Sequence, residues 1–227
     1  MKKAIVFDFD GTLTKKDQNI WKMLWQKCGY DIGPKSLFVS LYLKHRINRE
    51  ISRQDWFDAT CTAFKITKLH NDDLLKVSNQ IELLSGSEKF IKTLHEKGYK
   101  LFIVSGCLKE TIQHVLGDLA KYFTHIESNY CEFDKDGYLT KLIPTKYDYE
   151  GKADFIEKLK NNGYDKKNII FVGNGDNDEW VYKTGCTTIC INPTLANYTN
   201  STKWNKVYKD VNDITTLMQA TKELLEK

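Results

Sequence analysis

Residues 4–12 read Ala-Ile-Val-Phe-Asp-Phe-Asp-Gly-Thr, and this stretch decides the fold. Four consecutive apolar residues followed by a glycine-containing loop are typical of a strand buried in a parallel sheet. Asp8 and Asp10 follow the strand, and positions two apart on an extended chain point the same way. Because ligands of open α/β sheets bind at the carboxyl ends of strands, we expect both carboxylates at one site. Paired carboxylates there suit a hard metal ion, a covalent nucleophile, or both.

Strands and helices alternate along much of the remaining chain. Short apolar runs predict four further strands, over residues 101–104, 123–130, 169–172 and 187–191. Apolar residues at helical spacing predict helices between them, and an Asp-Gly pair within residues 133–138 predicts a hairpin. The alternation indicates an α/β fold with a doubly wound, mostly parallel, Rossmann-like sheet.

Residues 14–84 carry only helical patterns. One helix is expected to begin in a capping box at residues 52–55, and another to run from about residue 71 to about residue 84. We therefore predict an all-helical cap of residues 14–84, inserted after the first strand. Residues 1–13 and 85–227 then form the Rossmann-like catalytic core.

Composition restricts the classes of partner. The net charge of +4 is too small to indicate nucleic-acid binding by itself. Residues 14–84 hold 12 Lys and Arg against 8 Asp and Glu, and the remainder of the chain is balanced. The whole positive excess therefore falls in the predicted cap, either as a solvated helical surface or as a positive lid over an anionic substrate.

Cysteine spacing and hydropathy suggest where the protein works. The six cysteines show no paired CxxC pattern, which argues against a zinc site. The chain runs from Met1 straight into the first strand, and no apolar stretch is long enough to span a membrane. We expect a cytoplasmic protein with reduced thiols, which binds no membrane and shows no evident obligate protein partner.

Three further polar signals accompany the predicted strands. Ser105 and Gly106 follow the second strand, Lys152 opens the helix before the fourth, and residues 173–178 follow the fourth. In a parallel sheet all of these can converge on the edge that holds Asp8. A hydroxyl, an amine, a free amide and several metal ligands suit phosphoryl transfer, in which catalysis is mostly positioning and charge neutralisation.

These four signals, in this order and spacing, resemble the motifs of phosphatases of the haloacid dehalogenase superfamily over residues 3–192. The helical insertion between the first two motifs is similar to that of the phosphoserine-phosphatase-like subfamily, subfamily IB. The Asp-Gly hairpin before Gly151 and Lys152 is similar to that subfamily as well.

The resemblance implies a role for each motif. Asp8 is the nucleophile that becomes an aspartyl phosphate, and Asp10 protonates the leaving alcohol and then activates water. Ser105 and the amide of Gly106 bind phosphate oxygens. Lys152 neutralises Asp8 and the charge that develops on the phosphoryl group.

The resemblance also implies a Mg²⁺ site formed by Asp8, Asp10, Asn174 and Asp178, with Asp176 as an alternative ligand. Close relatives usually have Asp where Asn174 stands. The amide still offers an oxygen but removes one negative charge, so metal affinity is expected to fall.

Substrate recognition is predicted from the cap. The only arginines of the chain are Arg46, Arg49 and Arg53. Either they form a surface cluster that pairs with Glu50, Asp55 and Asp58, or one of them, best Arg53, grips the substrate as only a guanidinium can. By the same resemblance, Asp17 is expected to hold a substrate amine and Asn177 to bind substrate.

The aromatic side chains of the cap have two interpretations as well. They are either core packing or, in part, a pocket for a cationic head group such as choline. These residues are Trp21, Trp25, Tyr30, Phe38, Tyr42, Trp56, Phe57 and Phe64.

The sequence thus predicts a magnesium-dependent phosphomonoester hydrolase that acts on a small phosphorylated metabolite. The candidates are a phosphoserine-like compound, phosphoethanolamine and phosphocholine. Two alternatives remain, a catalytically silent protein that binds a phosphate ligand, and a phosphotransferase that uses the same site.

Overall fold

The computed structural model of the chain describes residues 2–194 and 202–225. One seven-stranded sheet organises it, in the order β4-β3-β2-β1-β5-β6-β7. All neighbouring strands are parallel except the hairpin pair β3 and β4. This confirms the doubly wound, mostly parallel α/β fold. The strands are β1 (Ala4–Phe7), β2 (Lys100–Leu108), β3 (Phe123–Phe133), β4 (Leu139–Ile143), β5 (Ile169–Gly173), β6 (Thr187–Ile191) and β7 (Lys206–Tyr208).

Eight α-helices accompany the sheet in the part of the chain that the structure describes, and several short 3-10 turns link the elements. Each of those helices is too short or too polar to cross a bilayer. The helices are α1 (Ile20–Lys27), α2 (Leu37–Tyr42), α3 (Arg53–Ile66), α4 (Asn71–Ser78), α5 (Ser87–Glu96), α6 (Lys109–Leu116), α7 (Glu150–Asn161) and α8 (Leu217–Leu225).

Both faces of the sheet are covered, as a parallel sheet requires. Ile5 and Phe7 of β1 belong to a core cluster that also holds residues of α1, α3, α5 and α6. Ala4 and Val6 point the other way, into a second cluster that includes Phe155 of α7. The two-residue alternation of a strand therefore separates two hydrophobic layers, and the residue after Phe7 falls on the α7 side.

Helices α1 to α4 lie between β1 and α5, in the stretch predicted to be a cap. The chain enters and leaves this stretch at one place, because Thr14 and Leu83 form an isolated antiparallel bridge. The N–H of Leu84 also donates to the carbonyl of Leu13 at 2.8 Å. The division into a core of residues 1–13 and 85–227 and a cap of residues 14–84 stays a prediction.

Helix α4 ends at Ser78, six residues before the predicted end near residue 84. The reason is that residues 82–84 take an extended course, in which Glu82 and Leu84 bond to the chain that leaves β1. Other differences concern the strands. The second strand continues to Leu108, with an irregular register beyond Ser105, and the three-residue edge strand β7 was not predicted.

The aromatic side chains between β1 and α5 pack against one another. Trp21 meets Trp56 edge to face, with ring centroids 5.0 Å apart, and Trp25 meets Phe64 at 5.6 Å. All four side chains are buried, and so is Phe57. These five residues therefore belong to the core, which agrees with the first of the two interpretations given above.

Gly151, the residue before Lys152, lies against the backbone of Lys146. A Cβ at this position would come 2.1 Å from the carbonyl oxygen of Lys146, which is backbone and cannot swing away. We predict that Gly151→Ala destabilises the fold by about 1–3 kcal/mol, the usual cost of overpacking. Thermal or urea unfolding measures this. Gly33→Ala is the control, since its Cβ would meet only the Asp31 side chain at 3.3 Å, and an equal loss in both variants would contradict the prediction.

Candidate active site

Asp8 lies immediately after β1, at the carboxyl edge of the sheet. Strand β1 lies between β2 and β5 in the sheet. The strand order changes direction at β1, and open α/β sheets bind their ligands at such a switch point. The N–H of Asp8 donates to the carbonyl of Val172 at 2.9 Å, and this bond continues the ladder between β1 and β5. Asp8 is only 4% exposed, so its carboxylate needs a nearby cation.

Lys152 supplies that cation. It lies in the first turn of α7 and is completely buried. Its Nζ is 3.0 Å from Oδ1 of Asp8 and 2.5 Å from Oδ1 of Asp178. Burial alone would lower the pKa of Lys152, but the charges of Asp178 and Asp8 outweigh it and raise the pKa above its usual value. The lysine is therefore a permanent positive charge beside Asp8.

Asp178 holds Lys152 on one side and the loop after β5 on the other. Its Oδ2 accepts hydrogen bonds from the backbone N–H groups of Asn174 and Gly175, both at 2.9 Å. The carboxylate also lies against Gly173, where a Cβ would come 2.5 Å from it. Both oxygens of Asp178 thus have protein partners, and the side chain fixes the position of Lys152 relative to the loop.

Asp10 is half-buried and points toward the same region. Its Oδ1 is buried and has no hydrogen-bond partner in the described part of the chain, while Nδ2 of Asn19 lies 3.5 Å from Oδ2. Burial and, secondly, the charge of Asp8 raise the pKa of Asp10 to about 7. A carboxyl group with this pKa can hold a proton or release it near neutral pH, as a general acid and base must.

Gly11 lets the loop after β5 approach the first motif. Its φ is +72°, in the region that favours glycine, and a Cβ would come 2.3 Å from the side-chain amide of Asn174. Asn174 is buried, and its backbone carbonyl oxygen accepts from the backbone N–H of Thr194 at 3.0 Å. The side-chain amide of Asn174 therefore packs directly against Gly11, the residue after Asp10.

These oxygen donors fit Mg²⁺ by their chemistry. The carboxylate of Asp8, the backbone carbonyl of Asp10 and the side-chain oxygen of Asn174 are hard ligands on adjacent loops, and the carboxyl group of Asp10 then stays available for proton transfer. In the described residues no three His, Cys, Asp or Glu side chains are grouped as a metal site. The side chains of Asp8, Asp10 and Asp178 are therefore not grouped as a metal site by themselves, and the predicted set also uses the backbone carbonyl of Asp10 and the amide of Asn174.

The predicted phosphate-binding residues lie at the end of β2. Ser105 is buried, and its Oγ accepts from the N–H of Cys107 at 3.2 Å. The carbonyl of Gly106 accepts from Nε1 of Trp21 at 3.0 Å and from Nδ2 of Asn129 at 2.8 Å. This end of β2 is thus held from two sides, by Trp21 of α1 and by Asn129 of β3.

The predicted substrate-binding residues differ in their exposure and in their partners. Asp17 is exposed in the turn before α1, and Asn177 is half-buried in the loop after β5. The alternative ligand Asp176 is also half-buried and accepts from the N–H of Asn177. Nε of Arg53 lies 3.3 Å from Oδ2 of Asp148, and one terminal nitrogen is 3.8 Å from Glu150.

The surroundings of Arg49 and Arg46 are the other half of the prediction about the arginines. The guanidinium of Arg49 lies 4.6 Å from the ring centre of Tyr149, and the side chain of Arg46 is outside the described part of the structure. The partners found for Arg53 and Arg49 are thus the segment before α7, rather than Glu50, Asp55 and Asp58. Asp55 instead closes the predicted capping box with Ser52 at the start of α3.

Sequence reasoning missed several polar residues of the site. Asn19 beside Asp10, Asn129 beneath Gly106 and Asp148 beside Arg53 were not singled out. Thr12 lies in the quoted motif, and its buried Oγ1 has no hydrogen-bond partner in the described region. Only Thr12 carried a local signal, because the other three reach the site through contacts between residues distant in sequence.

The fold and the site define a class of doubly wound α/β proteins that have a buried carboxylate after the first strand and a lysine beside it. A family model described as haloacid dehalogenase-like hydrolase matches residues 2–180. The chain belongs to this family, and the resemblance inferred from its motifs is confirmed.

Individual relatives agree with the family. A phosphoserine phosphatase of Archaeoglobus fulgidus is 26% identical over 193 residues, which cover 84% of this chain and 53% of that protein. The chain thus spans about half the length of the archaeal relative. A phosphoserine phosphatase of Lactococcus lactis is 26% identical over 184 residues, with 78% of this chain and 77% of that protein covered.

Solved structures show the same fold. A substrate-bound phosphoserine phosphatase superposes with a TM-score of 0.75 at 18% identity, and covers 97% of this chain and 98% of its own. A phospho-aspartyl intermediate analogue of phosphoserine phosphatase gives 0.74 at 21% identity, with 96% and 98% covered.

Lys152 provides a test of the site's electrostatics. We predict that Lys152→Met destabilises the fold by about 3–5 kcal/mol, because two buried carboxylates lose their shared counter-charge. Urea unfolding at pH 7 measures the change. Lys146→Met is the control, because that lysine pairs with Asp154 at the surface and its loss should cost less than about 1 kcal/mol. A Lys152→Met variant as stable as the control would contradict the proposed burial of charge.

Proposed function

We propose that this chain is a phosphomonoester hydrolase that works through an aspartyl phosphate on Asp8. The observation that carries the proposal is the buried Asp8 carboxylate at the end of β1, paired with Lys152 at 3.0 Å. An anionic nucleophile needs a neighbouring cation to approach an anionic phosphate, and Lys152 is placed to supply it. The relatives named phosphoserine phosphatases support the same activity.

In the first half of the reaction, Oδ of Asp8 attacks the phosphorus of the substrate. The P–O bond to the alcohol breaks, and its electron pair goes to the leaving oxygen. Asp10 donates a proton to that oxygen, which agrees with its pKa of about 7. Ser105 and the amide of Gly106 bind phosphoryl oxygens in this proposal, and Lys152 neutralises the charge that develops on them.

In the second half, Asp10 accepts a proton from water, and the oxygen of that water attacks the phosphorus of the aspartyl phosphate. The bond between Asp8 and phosphorus breaks and inorganic phosphate leaves. One difficult displacement is thereby divided into two easier ones. Asp10 ends the cycle protonated, ready for the next leaving group.

The carboxylate of Asp8, the backbone carbonyl of Asp10 and the side chain of Asn174 would hold Mg²⁺, which when bound would neutralise the phosphate and align it with Asp8. Asp178 remains a predicted ligand, but its contacts support a positioning role, since its two oxygens hold Lys152 and the backbone of residues 174 and 175.

The substrate in this proposal is a small phosphorylated metabolite, enclosed by a cap of residues 14–84. Two contacts support the cap, since Trp21 donates to the carbonyl of Gly106 and Arg53 pairs with Asp148. Both connect the helical stretch to the predicted phosphate-binding end of the sheet. A closed cap would exclude bulk water and limit substrate size. The cytoplasmic location stays a prediction.

Asn174 favours a second candidate, a protein that binds a phosphate ligand without turnover. An amide rather than a carboxylate at position 174 lowers the negative charge available to a divalent cation, and affinity depends on that charge. A phosphotransferase would use the same residues with an alcohol in place of water. Activity measurements separate these possibilities.

The first test is hydrolysis of p-nitrophenyl phosphate with Mg²⁺ and with EDTA. We expect turnover that EDTA abolishes, and we expect Asp8→Asn to reduce kcat at least about 1000-fold, because the amide is not a nucleophile. Circular dichroism shows whether the fold is kept. Asp154→Asn is the control, since it removes an equivalent charge from an exposed ion pair on α7.

The outcomes of this test differ clearly. Turnover that persists in Asp8→Asn would exclude the proposed nucleophile. An inactive wild type that still binds phosphate would instead support the silent binding protein.

Asn174 yields a separate prediction. Asn174→Asp should lower the Mg²⁺ concentration required for half-maximal activity by roughly tenfold, since it adds one carboxylate to the site. A Mg²⁺ titration of the rate measures this. Asn212→Asp introduces the same change at an exposed position and should leave the titration unchanged. Superimposable titrations for Asn174→Asp and the wild type would show that residue 174 does not contact the ion.

A further inference from the structure

The charge of Arg53 is paired within the chain. The guanidinium is shared between two carboxylates, with Nε 3.3 Å from Asp148 in the segment before α7 and a terminal nitrogen 3.8 Å from Glu150, the first residue of α7. The side chains of Arg53 and Asp148 are only 22% and 16% exposed, so water screens their attraction weakly. Glu150 is 57% exposed and contributes less.

Asp148 is held from the opposite side by the core. Nδ2 of Asn129, which is completely buried, lies 3.2 Å from Oδ1 of Asp148 and donates to it. The same nitrogen donates to the carbonyl of Gly106, and Oδ1 of Asn129 accepts from the N–H and the hydroxyl of Thr145. Asn129 therefore fixes Asp148 relative to the end of β2.

The carboxylate of Asp148 lies directly against Gly106. A Cβ on Gly106 would come 2.1 Å from Oδ1 of Asp148, so only a glycine lets the two approach this closely. Gly106 is the proposed phosphate-binding glycine. The carboxylate of Asp148 is thus held between Gly106 and the guanidinium of Arg53.

We propose that Asp148 is a specificity-determining residue, which selects phosphomonoesters whose far end is an amine and disfavours those that also carry a carboxylate. This inference rests on the proposed phosphatase function. A substrate carboxylate near Arg53 would have to displace Asp148 or lie beside it, and like charges in a poorly screened pocket repel. An ammonium group gains from the same carboxylate.

Aromatic rings also lie beside Asp148. Tyr149 follows Asp148, with the guanidinium of Arg49 on its ring, and the rings of His45 and Trp56 lie 6.1 Å apart beside them. His45 also meets the ring of Tyr149 edge to face at 5.9 Å. Aromatic faces of this kind attract cations, as Arg49 illustrates.

Phosphoethanolamine and O-phosphoserine test the proposal, because they differ only by the carboxylate. We expect the wild type to show a kcat/KM at least about tenfold higher for phosphoethanolamine, the scale of a like-charge penalty. In Asp148→Asn the preference should shift toward phosphoserine by roughly tenfold or more, mainly through KM, because the amide removes that penalty.

Two controls accompany this comparison. Asp154→Asn makes the same chemical change at an exposed ion pair on α7 and should leave the preference unchanged. Hydrolysis of p-nitrophenyl phosphate, which carries neither group, reports whether the catalytic residues work in each variant. A wild type that does not hydrolyse p-nitrophenyl phosphate would count against the proposed function itself.

The remaining outcomes bear on Asp148 alone. A wild type active on p-nitrophenyl phosphate that prefers phosphoserine would overturn the inference, even if Asp148→Asn fails to fold. An Asp148→Asn variant with lowered thermal stability and an unchanged preference would also overturn it, and would leave Asp148 as a structural contact between α3 and the segment before α7.

Discussion

The structure depends on one buried cation. Nζ of Lys152 lies between the carboxylates of Asp8 and Asp178, and these three side chains come from the end of β1, the start of α7 and the loop after β5. Taking three charges out of water costs several kcal/mol per ion, and their mutual attraction offsets this only when the geometry is good. The need to satisfy Lys152 therefore fixes how closely α7 approaches the central strand, and with it the position of every other group in the site.

Close backbone approach is the second constraint around this cation. Gly11, Gly106, Gly151 and Gly173 each lie where a Cβ would come within 2.5 Å of another group. Three of those neighbours are polar side chains of the site, namely Asn174, Asp148 and Asp178. The glycines thus do more than form turns, because their missing side chains create the room in which charged and amide groups meet the backbone. Local sequence shows a glycine, but only the folded chain shows what it makes room for.

This distinction explains what the sequence predicted. Apolar runs and their alternation are local, so the parallel sheet was predicted correctly, and Asp8, Lys152 and Asp178 were predicted to share a site that the structure brings together. The early end of α4 depends on pairing between residues 82–84 and the chain after β1, which no local pattern contains. The ion pair of Arg53 with Asp148 spans a similar separation, and the sequence suggested partners near Arg53 because only those are visible locally.

The carbonyl of Gly106 is one of several places where the helical stretch meets the sheet. Trp21 donates to it from α1 and Asn129 from β3, while Asn129 also holds the carboxylate that pairs with Arg53 of α3. Any movement of α1 or α3 away from the sheet must break a bond to this small network. Because the network surrounds Gly106, the proposed phosphate-binding glycine, a movement of α1 or of the Arg53 end of α3 would also disturb the bonds that hold this glycine in place.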